Sequence, residues 1–194
     1  AVGALKSMGA LEMGLAEEEL QPLVDSWRKS NPNICRFWYD IQNATMKASE
    51  GEPQCVGQFK FFRKSGILFV RLPSGRCIAY VQPRIDENRF GKPSLTYMGL
   101  DQQTKAWTRL ETFGGKLTEN LVQAVARDCL AESMIRLEAR GYKIVFHVHD
   151  EVIIEADRED SVEEICRIMG ECPPWAEGLL LRADGYECEF YRKD

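Results

Sequence analysis

Two neighbouring carboxylates and a histidine interrupt an otherwise apolar stretch of the chain. The apolar runs are residues 144–148 and 152–154, and His149, Asp150 and Glu151 lie between them. Short β-branched runs around a polar break predict a tight β-hairpin with the charged side chains at its turn. Carboxylates placed between core strands lose solvation unless water or a cation meets them, and such oxygens suit a hard cation such as Mg²⁺. The turn is therefore predicted to bind metal for phosphate chemistry, and a solvated acidic turn is the simpler alternative.

A second set of possible ligands shares this stretch. His147 and His149 are two residues apart, so both would project from one face of a strand, as in a metal hydrolase. Catalytic zinc usually takes three protein ligands, however, and the chain has only two histidines. His147 also lies between Phe146 and Val148, which favours packing over metal binding. A hydrolase with a His/His site is therefore the weakest alternative.

A long helix precedes the hairpin and would position it. The apolar spacing of residues 119–140 predicts this helix, with Thr118 as its N-cap and Gly141 as its stop signal. Gln123 and Arg127 are four residues apart and lie off the predicted apolar stripe. A glutamine can contact the minor groove of DNA, and an arginine can contact phosphate. The same residues also suit a solvated helix face, so the pattern leaves both interpretations open.

A basic region lies upstream of the long helix. Residues 57–85 contain no Asp or Glu, and Pro73, Ser74 and Gly75 predict the turn of a hairpin within them. Its six basic side chains could follow a phosphate backbone, with aromatic side chains interleaved among them. An ordinary charged β surface is the alternative. The basic residues are Lys60, Arg63, Lys64, Arg71, Arg76 and Arg84, and the interleaved aromatic residues are Phe61, Phe62 and Tyr80.

The composition is that of a globular protein. The chain has 194 residues, a hydrophobic fraction of 44% and four tryptophans, which argues against disorder. Its net charge of −5 excludes a uniformly basic nucleic-acid binder. No stretch approaches the roughly 20 apolar residues of a membrane span. Seven dispersed cysteines without CxxC spacing suit a reducing compartment, so we expect a cytoplasmic protein that does not bind membranes.

The remaining patterns predict an α+β fold in which antiparallel β-hairpins pack against helices. Gly114 and Gly115 are expected to end the β region, and Ser161 begins a capping box for a further helix. The tail is expected to supply one or two strands within residues 179–192. The other predicted helices are residues 17–29, 33–48 and 119–140, and the predicted hairpins lie within residues 59–112 and 144–154.

Four segments follow one another in a recognisable order. Residues 1–10 are rich in Gly and Ala, residues 72–76 read Leu-Pro-Ser-Gly-Arg, residues 119–128 begin the long helix, and residues 148–152 read Val-His-Asp-Glu-Val. This series resembles the family A (DNA polymerase I-like) DNA polymerases of phage type. The last segment is similar to their motif C, the third to the palm helix before it, the second to a hairpin, and the first to the segment after motif B. The resemblance covers essentially the whole chain.

The resemblance implies template-directed nucleotidyl transfer assisted by two Mg²⁺ ions. Asp150 would be one of the two catalytic aspartates that bind the metals, and Glu151 would be its auxiliary acidic neighbour. Motif A and the fingers helix that grips the incoming nucleotide are absent from the sequence. We therefore expect the C-terminal part of a larger enzyme. Residues 1–115 would belong to the fingers, and residues 116–194 to the palm with the motif C hairpin.

The resemblance also implies contacts to DNA. His149 would lie near the primer terminus, and Gln123 would contact the minor groove of the primer–template duplex. By extension, Arg76 and Arg127 are assigned to DNA contact. The helix departs from the family's Asn-x-Pro-x-Gln pattern, so the usual role of its asparagine is not transferred to Asn120.

These assignments define the expected partners. The intact enzyme would use primer–template DNA and a dNTP, and it would be encoded by a phage or prophage and act in the cytoplasm of a bacterial host. The fragment alone would be nearly inactive, would bind Mg²⁺ weakly or not at all, and would tend to self-associate through surface meant for its missing N-terminal part. A non-catalytic DNA-binding module that uses the basic hairpin is the alternative from another functional class.

Overall fold

A six-stranded antiparallel sheet packs against helices, which confirms the predicted α+β class. The computed structural model describes residues 2–88 and 90–191. Strand order follows chain order in this sheet, and a separate two-stranded sheet comes after it. The helices are α1 (Val2–Ser7), α2 (Glu17–Ser30), α3 (Pro32–Ser49), α4 (Gly114–Ala139) and α5 (Val162–Met169). The strands are β1 (Gln54–Val56), β2 (Phe59–Lys64), β3 (Ile67–Arg71), β4 (Cys77–Glu87), β5 (Pro93–Leu100), β6 (Trp107–Glu111), β7 (Lys143–Val148) and β8 (Glu151–Glu155).

Helix α3 covers one face of the six-stranded sheet. Asn31 precedes the helix and Pro32 occupies its first turn, where the missing N–H would have no helical partner in any case. Ile41, Ala44 and Ala48 recur at helical spacing and are buried against the sheet. This periodicity is why α2 and α3 agree with their predicted bounds to within one residue at each end. The residues that meet α3 from the sheet side include Phe61, Leu68, Val70, Leu72, Tyr80 and Leu95.

Helix α4 begins before its predicted N-cap. Gly114 is its first residue, so the prediction that Thr118 caps the helix and that Gly114 and Gly115 only end the β region is wrong. A Cβ at Gly114 would lie 2.2 Å from the carbonyl oxygen of Trp38, and the Gly114 N–H donates to Gln42 Oε1 at 2.9 Å. Glycine is required here because α3 and α4 meet closely, which sequence periodicity does not reveal.

The buried side of α4 changes along its length because the helix contacts α3, α5 and β7. Leu117 and Leu121 are buried near its start, and Leu137 is buried near its end. Val122 and Ala126, which the sequence places on the apolar stripe, are exposed. One side of the middle of the helix is therefore open to solvent.

Strands β7 and β8 pair with each other and with no third strand among the described residues. The predicted tail strands are absent from residues 177–191, and residues 192–194 lie outside the described residues. A strand needs a neighbouring edge to satisfy its backbone hydrogen bonds, and the described tail pairs with neither sheet.

Helix α5 begins after Ser161, its predicted N-cap, but the reciprocal half of the predicted capping box is not formed, because the Glu164 carboxylate accepts hydrogen bonds from Arg167. The Ser161 Oγ accepts a hydrogen bond from the Glu164 N–H at 3.4 Å. All seven cysteines are free. Within residues 2–88 and 90–191, no helix is both long enough and apolar enough to cross a membrane.

Candidate active-site turn and nucleic-acid face

His149 and Asp150 form a two-residue turn between β7 and β8. Val148 pairs with Glu151 across the hairpin, so Glu151 begins β8 and does not lie in the turn itself. His149 has φ of +50°, a left-handed conformation that residues other than glycine adopt infrequently. All three polar residues are exposed. The end of the paired hairpin therefore holds the imidazole of His149 and the carboxylates of Asp150 and Glu151 in open solvent.

A β-bulge alters the strand that leads to this turn. The register shifts between Ile144 and Phe146, which leaves Val145 as the extra residue of β7. Val145 and Phe146 are both exposed. The Phe146 ring meets the ring of Tyr191 edge-on at 5.1 Å, and the Tyr191 hydroxyl donates to Glu151 Oε2 at 3.4 Å. The tail therefore supports the hairpin through side-chain contacts, not through strand pairing.

His147 does not pack as the sequence predicts. Its side chain is exposed, and its Nε2 lies 3.5 Å from Nη2 of Arg127 on α4. A guanidinium beside this nitrogen is unfavourable for a bound cation. The structure thus gives no support to a metal site built on His147 and His149.

The carboxylates of Asp150 in the turn and of Glu151 at the start of β8 fit one side of a Mg²⁺ site. Asp150 and Glu151 are adjacent and exposed, and Mg²⁺ is commonly bound by one or two carboxylates together with water and substrate phosphates. No group of three or more His, Cys, Asp or Glu side chains that could hold a metal ion occurs in the part of the chain that the structure describes.

One solvent-exposed face of α4 leads toward this hairpin. Glu119, Gln123 and Arg127 follow one another at helical spacing and are exposed. Gln123 Nε2 donates to Glu119 Oε1 at 3.4 Å, and Arg127 is the residue that reaches His147 on β7. The structure therefore brings the predicted residues Gln123 and Arg127 onto one open surface that continues into β7, whose turn carries His149 and Asp150.

The neighbouring face of α4 is bound to the six-stranded sheet. Asn120 Nδ2 donates to the hydroxyl of Tyr80 at 3.2 Å, and burial raises the pKa of Tyr80. Asn120 and Tyr80 thus join α4 to β4. This contact gives Asn120 a structural partner on β4.

Arg76 is held by α4 and does not extend freely into solvent. Its Nε donates to Asp128 Oδ1 at 2.6 Å and its Nη2 donates to the Ala124 carbonyl at 2.9 Å. Ser74 Oγ donates to the other carboxylate oxygen of Asp128 at 2.5 Å. That Arg76 contacts DNA stays a prediction. Such a contact would use the N–H groups of the guanidinium that do not donate to Asp128 or Ala124.

Sequence reasoning missed Asp128, whose burial is known only from the structure. A lone carboxylate four residues after Ala124 lies on the side of the helix that faces the sheet, and its side chain is only 10% exposed. A buried carboxylate requires hydrogen-bonding or cationic partners. The partners themselves could not be identified from spacing, because they are more than 50 residues away.

Comparison with known proteins gives one informative relative. The chain is 50% identical over 196 aligned residues to a protein named DNA polymerase from Bacillus phage SP02. The match covers 99% of this chain and 30% of that protein, so the chain spans less than a third of the length of this relative. No protein-family model matches the chain. No solved structure matches it either.

Proposed function

We propose that this chain is the C-terminal part of a family A DNA polymerase of phage type, which transfers nucleotides onto a primer under the direction of a template. Support comes from its 50% identity to a stretch that makes up 30% of a phage protein named DNA polymerase. It also comes from the exposed Asp150 turn beside the open face of α4. The arrangement of this turn is the single observation on which the catalytic proposal rests.

Each residue of this surface has a distinct task in the proposed reaction. Gln123 contacts the minor groove of the primer–template duplex, and Arg127 contacts a backbone phosphate. His149 lies beside the primer terminus, and Asp150 supplies a carboxylate ligand to Mg²⁺, with Glu151 as its acidic neighbour. When bound, the metal ions favour ionisation of the primer 3′-hydroxyl and stabilise charge on the leaving oxygens.

The described residues supply only part of this site. A second catalytic aspartate and the cationic residues that grip the incoming dNTP would belong to the N-terminal part of the same polymerase. Residues 1–115 then belong to the fingers and residues 116–194 to the palm. The 194-residue chain alone is accordingly nearly inactive and retains Mg²⁺ poorly.

Exposed apolar side chains on β7 and in the tail favour association with that missing part. Leu180 is 97% exposed and Phe190 is 73% exposed, and Val145 and Phe146 are exposed on β7. Apolar surface of this kind marks an interaction site, and in its partner's absence it promotes self-association. The intact enzyme would act in the cytoplasm of the bacterial host of a phage or prophage.

Substitution of Asp150 in the intact polymerase tests the catalytic proposal. Asp150→Asn removes the anionic ligand while keeping the size of the side chain, so primer extension should fall by roughly 10²–10³-fold with folding unchanged. Asp157→Asn, an exposed residue beyond β8, is the matched control and should extend primers normally. Extension by Asp150→Asn at the wild-type rate would overturn the proposal and favour a DNA-binding module without catalysis.

Primer extension by the 194-residue chain tests its incompleteness. With Mg²⁺ or Mn²⁺ and all four dNTPs, we expect no incorporation above background. Clear dNTP incorporation by the pure chain would show that a complete active site lies within it, contrary to the proposal.

A further inference from the structure

The six-stranded sheet has an outer face that α3 does not cover. Strand pairs place Phe61 opposite Val70 on the inner face, where both are buried under α3. Neighbouring residues along a strand project to opposite faces, so the next pair, Phe62 and Phe69, belongs to the outer face. Of the aromatic residues that the sequence interleaves with the basic ones, Phe61 and Tyr80 are buried in the core. The aromatic residues of the outer face on β2 and β3 are therefore Phe62 and Phe69.

Two phenylalanine rings lie side by side on this outer face. Phe62 and Phe69 are directly opposite in the β2–β3 register, and their rings are stacked with centroids 5.5 Å apart and planes inclined by 22°. Both side chains are only half-buried. The pair therefore presents a joined aromatic surface to solvent.

Basic side chains flank the aromatic pair on both sides. On one side of the aromatic pair, Lys60 lies directly opposite Arg71. On the other side, Lys64 follows Phe62 on β2. Each of these basic residues is two positions from Phe62 or Phe69, which is about 7 Å along the strand. None of these three cations forms an ion pair or a side-chain hydrogen bond with the residues that the structure describes. Like charges directly opposite each other destabilise a sheet, so the Lys60–Arg71 pair favours a bound anion.

We propose that the outer face of strands β2 and β3 binds single-stranded DNA. Unpaired bases stack on Phe62 and Phe69, and the phosphates on either side of them contact Lys60, Arg71 and Lys64. The bases of a duplex are already stacked on one another, so this surface selects single strands over duplexes. The site is separate from the Asp150 turn, which belongs to the other sheet, and it does not require Asp150 to be catalytic.

Removal of the aromatic rings tests the stacking contact. The 194-residue protein is titrated against a fluorescein-labelled, unprimed oligodeoxythymidine, and against a duplex of the same length, with fluorescence anisotropy as the readout. The double variant F62L/F69L should bind the single strand about tenfold more weakly or worse, whereas F62Y/F69Y, which keeps both rings, should bind like the wild type. Circular dichroism and thermal unfolding of each variant show that the sheet is intact.

Removal of two charges tests the phosphate contacts independently. For single-stranded DNA, the slope of log K against log salt changes by about 0.7 for each phosphate that the protein neutralises, so K60Q/R71Q should reduce it by about 1.4. The control R28Q/K29Q makes the same change in charge on the exposed end of α2 and should leave the slope unchanged. F62L/F69L should also leave the slope unchanged, because it removes no charge.

Three results would overturn the inference. They are wild-type affinity of F62L/F69L for the single strand, an equal loss of affinity for the duplex and for the single strand in F62L/F69L, and the same reduction of slope in R28Q/K29Q as in K60Q/R71Q. The outcome is independent of the proposed function, because it is the difference between F62L/F69L and the wild type, and the α4 face with Gln123 and Arg127 is the same in both.

Discussion

Arg76 and Asp128 are 52 residues apart in the chain, and Arg76 Nε donates to Asp128 Oδ1 at 2.6 Å. The Arg76 side chain is 48% exposed, whereas that of Asp128 is 10% exposed. The turn between β3 and β4 is thereby attached to the middle of α4. Because Asn120, Ala124 and Asp128 face the sheet, the adjacent helix positions, which include Gln123 and Arg127, face outward.

The exposure difference within this pair predicts unequal reductions in stability. Arg76→Ala leaves a buried carboxylate with only Ser74 as a partner, so the free energy of unfolding should fall by about 2 kcal/mol. Asp128→Ala leaves a half-exposed guanidinium that water can solvate, and should cost about 1 kcal/mol. The double variant should be no less stable than Arg76→Ala alone, as urea unfolding would measure. Additive effects in the double variant would show that the two side chains do not stabilise each other.

The junction of α3 and α4 gives a second prediction from a matched pair of glycines. Gly114→Ala places a Cβ against the Trp38 carbonyl, so it should destabilise the protein by about 2 kcal/mol or more. Gly115→Ala meets only the exposed ring of Phe113, at 3.2 Å, which can rotate away. Gly115→Ala should therefore be neutral or should stabilise the helix by up to about 1 kcal/mol. Equal effects of the two substitutions on the urea midpoint would contradict the close approach of α3 and α4.

Those glycines also show where sequence reasoning stops. Helix α3 was predictable because its apolar residues recur with helical spacing, and the start of α5 was predictable because Ser161 is an N-cap residue. Gly114 and Gly115 predict a break, since glycine commonly ends elements. Only the distance to Trp38 reveals that the first of them begins a helix.

The candidate site also has a part that the sequence predicts and a part that it does not. The position of Asp150 in a hairpin turn was predictable, because alternating apolar runs and their polar break are local features of the chain. The partners of Arg76 and His147 were not, because Asp128 and Arg127 are brought to them by packing between distant elements. The tail strands were predicted from composition alone and have no edge to pair with among the described residues.

Burial of Tyr80 predicts a loss of stability at alkaline pH. Burial raises the pKa of Tyr80 in the folded protein, so above the ordinary tyrosine value of about 10 the unfolded chain loses this proton before the folded protein does. Stability contributed by the protonated hydroxyl is thus complete below pH of about 10 and falls as the pH rises toward the folded pKa, by up to about 1.4 kcal/mol per pH unit.

Urea unfolding between pH 8.5 and 11 measures this decrease. Tyr80→Phe should be less stable than the wild type near neutral pH, by about 1 kcal/mol, because it removes the acceptor of the hydrogen bond from Asn120. Its stability should then fall less steeply than that of the wild type above pH of about 10. Tyr39→Phe, at a side chain that is 68% exposed, is the control and should follow the wild-type slope. Parallel curves for wild type and Tyr80→Phe would contradict the buried hydroxyl.

The left-handed backbone of His149 allows its conformational and functional roles to be separated. Asn tolerates this conformation, so His149→Asn should leave the hairpin as stable as in the wild type. A β-branched residue does not tolerate it, so His149→Val should weaken the hairpin by about 1–2 kcal/mol. Hydrogen exchange of the backbone amides that pair Val148 with Glu151 measures this local stability directly.

Primer extension by the intact polymerase then isolates the imidazole. If His149 contacts the primer terminus, His149→Asn should lower extension by about tenfold while its hairpin amides stay protected from exchange, because the turn is preserved and only the ring is removed. His149→Val should lower both extension and protection. Full extension by His149→Asn together with unchanged protection would show that the turn needs only a residue that accepts positive φ, and that the imidazole has no part in the reaction.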